Sequence, residues 1–316
     1  MGYIQDKVEK KHKRIRFNGF FYAIISSASF GFSPIFSIAL ITAGLSHFDI
    51  LTYRWCVAAL VLMIYAVIKG KTLKLLSFSE VWRVLLLSAL RAITSITLLI
   101  GYANIASGIA STINFMYPVV VALCMMLFFG EKKSLPNILS ILMSIAGVYL
   151  LAHGDGLFVE GGDPTLGLTC SIISAVSFAA YYIIMKRTKA DKIEVVKFTT
   201  WIMMMSAVYF FICGFIFDGH ITLVTDGLAW IYILGLGLWS TMVSNFTGVK
   251  AIRRIGPTLT SILGALQPLT AVILGVIFLD EHLGVKTIIG MVMILVSVTM
   301  VVLQKHDHQK QHQDVT

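Results

Sequence analysis

The chain has 316 residues, 57% of them hydrophobic and only 13% charged, and its mean hydropathy is +0.86. A soluble domain carries about 25% charged residues, so a water-coated globule is excluded and the surplus apolar surface must face lipid. The formal charge of +9 does not point to nucleic acid as a partner, because the lysines and arginines fall in short clusters between apolar runs, the pattern of membrane-protein loops.

Runs of about 17–25 mostly apolar residues are long enough to cross a bilayer, and the sequence contains ten. A basic tail, residues 1–17, precedes the first run, Asn18–Thr42, which contains Ser26, Ser29 and Pro34. That run is too long for a signal-peptide core and lacks a small-residue cleavage site, so it is read as a retained helix. The second run, Ile50–Ile68, carries Arg54 a few residues inside its outer end, where the side chain is expected to snorkel to the interface. The third, Val81–Gly101, holds Arg91 about ten residues in, or roughly 15 Å at 1.5 Å per residue, which is near the midplane. The fourth, Gly108–Phe129, contains Asn114, Tyr117 and Pro118 and is followed by Glu131. The fifth is Pro136–His153, and a linker, residues 154–165, leads to the second series.

That series comprises Leu166–Met185 with Ser177 and Tyr181, Phe198–Phe217, Leu228–Val249 with Trp239 and Asn245, Thr258–Leu279 with Gln267 and Pro268, and Val285–Leu303. Glu281 follows the ninth helix, and a polar tail, residues 304–316, ends the chain. With the N-terminus in the cytoplasm, the loop lysines and arginines all fall on the cytoplasmic side except Lys286. This is the positive-inside pattern, and it places both termini in the cytoplasm.

The two series repeat one another. Ile24–Phe30 reads IISSASF and Ile172–Phe178 reads IISAVSF, 148 residues apart, and Trp82 and Trp230 keep that offset. Pro118 with Pro268 and Glu131 with Glu281 are 150 apart. Residues 18–153 and 166–303 therefore form two five-helix units. Five is odd, so the second copy enters from the opposite side, the inverted-repeat build common among secondary transporters.

The paired motifs YP…GEKKS at Tyr117–Ser134 and QP…DEHLG at Gln267–Gly284 resemble the drug/metabolite transporter superfamily, EamA type. The resemblance implies an all-α membrane protein of ten helices in two inverted repeats, a proline in each fourth helix with a Glu after it, and a Gly-rich fifth helix, to which Gly147 and Gly290 correspond. It also implies a secondary transporter of the bacterial inner (plasma) membrane. The expected activity is export of small amino-acid-like or anionic metabolites by alternating access; import of a solute such as a vitamin or nucleotide derivative is the alternative. Partners are then a small-molecule substrate and the lipid bilayer, with monomer and homodimer both open.

An arginine at the midplane costs several kcal/mol unless paired or wet, and no Asp or Glu lies inside any of the ten runs. Arg91 is accordingly the leading candidate to bind an anionic group of the substrate. Ser29, Asn114, Tyr117, Ser177, Tyr181, Trp239, Asn245 and Gln267, together with Ser26, are candidate cavity-lining residues, although a lone polar residue more often bonds a neighbouring helix. Arg54, Pro34, Pro118, Pro268, Glu131 and Glu281 are gating candidates: the prolines break helices and free backbone groups, and the two glutamates sit at helix ends. Cys56, Cys124, Cys170 and Cys213 show no metal-ligand spacing. The histidines form no catalytic set and no nucleotide cradle is present, so neither a cofactor nor a metal is expected, and an intramembrane enzyme would need a catalytic pair that these helices lack.

Overall fold

The computed structural model of the chain describes residues 2–74, 77–130, 134–154 and 159–313. Among them the fold is helical, without strands: α1 Gly2–Gly31, α2 Ser33–Thr42, α3 His47–Ile68, α4 Phe78–Asn104, α5 Ser107–Phe115, α6 Tyr117–Phe128 and α7 Leu135–Ala152, then α8 Pro164–Arg187, α9 Val195–Phe217, α10 Gly227–Leu234, α11 Ser244–Leu263, α12 Leu266–Phe278 and α13 Val285–Gln313. A π-helix, Gly235–Val243, joins α10 to α11. Short polar caps start several of these helices after brief loops. Ser46 accepts from the Asp49 amide and Ser77 from the Glu80 amide, Asp163 accepts from Thr165 and Leu166, and Asp226 accepts from Leu228 and Ala229. Each satisfies amides that a helix N-terminus leaves unpaired.

Nine helices among the described residues are long and apolar enough to cross a membrane, and Leu266–Phe278 is a shorter apolar helix. Here the structure departs from the sequence reading. The expected loop between the eighth and ninth helices is absent, since α11 runs unbroken to Leu263. The ninth expected helix is therefore split at Gly264–Ala265. Pro268 explains the position of the break, because a proline ring excludes the helical carbonyl four residues earlier, here that of Gly264. Pro118 and Pro34 act likewise, ending α5 before Tyr117 and α1 before Ser33, and each then sits in the first turn of the next helix, where its missing amide costs nothing.

The packing obeys the duplication. Spans α3 and α9 pack on each other, as do α5 and α12, and α7 and α13; each is the other's counterpart in the repeat. The two remaining pairs are exchanged, α1 with α11 and α4 with α8. A pseudo-two-fold between the units produces that pattern of self-paired and exchanged helices. Gly147 and Gly290 are where α7 and α13 cross. A Cβ on either would lie within 3 Å of the other's carbonyl oxygen, so only glycine permits this approach. Beside them Ser144 and Ser297 share a 2.6 Å hydrogen bond. Small residues and hydroxyl bonds are the means by which helices associate in lipid, where burial of apolar surface gives no net drive.

On one face of the bundle lie Lys71 and Lys192 in loops and Lys197 in the first turn of α9, and Lys197 bonds Glu80 at 2.9 Å. On the opposite face the two repeats are tied together. Asp49 accepts from the Thr222 amide at 3.0 Å, and the Tyr53 hydroxyl donates to the Thr222 carbonyl at 2.9 Å. Glu281 accepts from the Ser107 amide at 2.6 Å and from the Gly108 amide at 3.3 Å. The bundle is thus latched on the face poor in lysine and arginine.

Candidate functional site

A cavity of about 520 Å³ lies between the repeats. Its lining runs from Ser37, Leu99 and Tyr102 at one end to Ala190, Ile193 and Val195 at the other, beside the basic loop between α8 and α9. The hydrogen-bonded latch is on the opposite face, so we assign the mouth to the basic end. All three proline breaks serve this wall. The carbonyls excluded by Pro34, Pro118 and Pro268 belong to Phe30, Asn114 and Gly264, and each of these residues lines the cavity. Irregular backbone at membrane depth is tolerated where it borders such a space.

Arg91 is the middle residue of α4 and reaches the cavity. Its guanidinium lies 4.7 Å from the Phe178 ring centroid, 5.6 Å from that of Trp55 and 5.7 Å from that of Tyr181. Among the described residues it has no hydrogen bond and no ion pair. Ring faces attract a cation but do not neutralise it. Tyr117 stacks on Tyr182 at 5.2 Å and meets Phe178 at 4.6 Å, so α6 and α8 build one aromatic wall opposite the charge. Asn114 is buried in α5, and its side-chain oxygen accepts a 2.9 Å bond from Ser174, whose hydroxyl also lies 3.0 Å from the Thr94 carbonyl. Asn245 and Gln267 complete the polar lining expected from the sequence, together with Ser26.

Arg54 does not snorkel. It is only 7% exposed, its Nε donates to the Thr241 hydroxyl at 2.8 Å and its Nη1 to Ser33 at 3.2 Å. The Thr241 hydroxyl in turn donates to the Leu236 carbonyl, five residues back. The π-helix places that pair together, since its wider turn brings residue i against i−5. Gly235 starts it where a Cβ would strike the ring of Phe36. Arg54 also borders the cavity. The Trp55 ring lies 5.8 Å from the Arg54 guanidinium carbon, so the two cations are no more than about 11.4 Å apart. At that separation like charges repel by about 1.5 kcal/mol at an effective dielectric near 20. No carboxylate lines the cavity among the described residues.

Other expected residues lie elsewhere. Trp239 is 46% exposed and packs edge-on against Phe32 at 6.4 Å, off the cavity. At the offset of 148 it is the counterpart of Arg91, but at 150 the counterpart is Thr241, and the structure puts Thr241 on Arg54. Ser29 is buried and donates to the Ser26 carbonyl of its own helix at 3.1 Å. Ser177 lies off the cavity, one turn past Ser174. Glu281 sits at the latch, and Glu131 lies outside the described residues. The sequence reading missed Trp55, Ser174, Phe178 and Tyr182. The last three recur at i, i+4 and i+8, the spacing of one helix face, so the signal was present in α8.

A sequence profile of the EamA-like transporter family matches residues 17–152 and again residues 165–303. The chain is 26% identical over 285 residues to the uncharacterized transporter YvbV of Bacillus subtilis (strain 168), covering 88% of this chain and 85% of that one. It is 23% identical over 303 residues to the WAT1-related protein At3g28050 of Arabidopsis thaliana, covering 86% and 81%. A solved crystal structure superposes with a TM-score of 0.63 at 15% identity, covering 92% of this chain and 97% of that one; at that identity the likeness concerns the fold alone. With both halves matched, the chain belongs to the EamA-like transporter family.

Proposed function

We propose that this member of the family is a secondary transporter that exports a small organic anion, of amino-acid size, by alternating access. The observation that carries the reading is Arg91, a cation at mid-membrane depth, facing a cavity, with no acidic partner among the described residues. An uncompensated charge there is costly, and a substrate carboxylate or phosphate would neutralise it. The aromatic wall of Phe178, Tyr181 and Tyr117 would hold the apolar body of that anion. The cavity mouth supports the export direction: it lies on the basic face, which the positive-inside pattern assigns to the cytoplasm, so a substrate made in the cell would load there. The latch of Glu281 and Asp49 would then open in the other half of the cycle.

The membrane potential acts directly on a charged substrate, at about 2.3 kcal/mol per charge per 100 mV. With no acid among the described residues that line the cavity, the reading needs no carboxylate proton relay. The test is efflux of radiolabelled organic anions from oriented proteoliposomes, with pH and potential clamped separately. Wild-type flux should follow potential. Arg91→Ala should abolish it without affecting insertion, and Arg91→Lys should restore only part, because the planar fork is lost. Normal efflux by the alanine variant would reduce Arg91 to a packing residue and defeat the proposal. Accumulation into vesicles and no efflux would assign the opposite direction.

A further inference from the structure

We propose that the substrate carries two separate acidic groups, one bound at Arg91 and the other at Arg54. This rests on the anion reading above and narrows it. The cavity is bordered by two guanidinium groups and by no carboxylate among the described residues, so one bound monoanion would leave a second buried cation uncompensated. Arg54 is held by its Nε on Thr241 and its Nη1 on Ser33, both neutral hydroxyls. Its remaining N–H groups have no hydrogen-bond partner among the described residues. A side chain tethered at two points cannot swing across to share an anion with Arg91. Trp55 neighbours both, its ring 5.8 Å from one cation and 5.6 Å from the other, and each guanidinium is held from its own helix, α3 or α4. The same arrangement disfavours zwitterions, since no acidic side chain among the described residues of the lining awaits an ammonium group. A short-chain diacid would pair both arginines of the wall. A single phosphate would have to reach both arginines at once.

The experiment titrates the purified full chain with succinate, glutarate and adipate, with their monoamides and diamides, and with methyl phosphate, and reads ligand-induced thermal stabilisation. The diacid of best-fitting length should bind about tenfold or more tightly than its own monoamide, the scale of a second charge-assisted contact. Arg91→Gln should erase that advantage and leave the diacid equal to the wild-type monoamide. Arg54→Gln should do the same, and because Arg54 is buried, the wild-type diacid-to-monoamide ratio stands as the decisive number if that variant does not fold. Equal binding of diacid and monoamide would overturn the two-group proposal while leaving the anion reading in place. So would methyl phosphate outcompeting every diacid. Binding of the diamides in preference to all acids would overturn the anion reading itself.

Discussion

Thr241→Val keeps the β-branched shape and removes one hydroxyl near the end of the π-helix. Two bonds are lost: the 2.8 Å acceptor for Arg54 Nε and the 2.9 Å donation to the Leu236 carbonyl. A hydrogen bond to a charged group is worth about 1.5–3 kcal/mol, and a hydroxyl bond between membrane helices about 0.6 kcal/mol. Arg54 is buried and keeps only its longer bond to Ser33, at 3.2 Å, so the orphaned Nε–H has no ready substitute. The expected loss is about 2–3 kcal/mol, or about 5 °C in Tm at the slope of a large domain. Thermal unfolding in detergent measures it, with Thr241→Ser as the control that retains both bonds. In an Arg54→Gln background the valine substitution should cost much less, since the charged donor is gone. A valine variant within a degree of wild type, or a serine variant as damaged as the valine one, would refute the assignment of Thr241 as the support of Arg54.

The remaining expectations concern the latch, the helix crossing and the topology. Glu281→Gln should lower stability by about 1–2 kcal/mol, because a neutral amide accepts the Ser107 and Gly108 amides less strongly; it should also raise labelling of a cysteine placed at Ser111 from the face away from the mouth, and unchanged labelling would show that Glu281 does not hold that face shut. Gly147→Leu should prevent a stable fold by driving α7 off the Gly290 carbonyl, whereas Ser144→Ala should cost only about 0.6 kcal/mol; comparable melting of the two would contradict the close crossing. A cysteine at Glu160 should react with an impermeant maleimide added outside cells, and one at Lys189 should not; the reverse pattern would invert the chain in the membrane.

The spans were legible because lipid imposes length and apolarity on every one of them, and no other segment of the chain meets both requirements. Arg91 was legible for a related reason: counting 1.5 Å per residue along α4 sets its depth whatever the neighbours do. Arg54 was not. The sequence places it near an exposed end, but the segment around Thr222 folds over that end and bonds Asp49 and Tyr53, and such a long-range cover leaves no local mark. The ninth helix was misjudged because α11 continues to Leu263 through the basic stretch read as a loop, and charged residues do not by themselves end a helix. Trp239 misled because a fixed repeat offset assumes that both copies wind alike.

They do not wind alike. From Trp82 to Pro118 the first copy uses two residues fewer than the second uses from Trp230 to Pro268, and the π-helix lies inside that longer stretch. The loosened turns can take up the surplus residues in place of a loop and re-aim every side chain beyond them. A carrier whose halves were identical under the two-fold would rest equally in its two conformations, each the rotated image of the other. Here the operation that maps α4 onto α10 and α11 takes a cation to a hydroxyl, Arg91 to Thr241. The exchanged conformation is therefore not isoenergetic with this one, and that broken equivalence helps to set the resting side of the empty carrier.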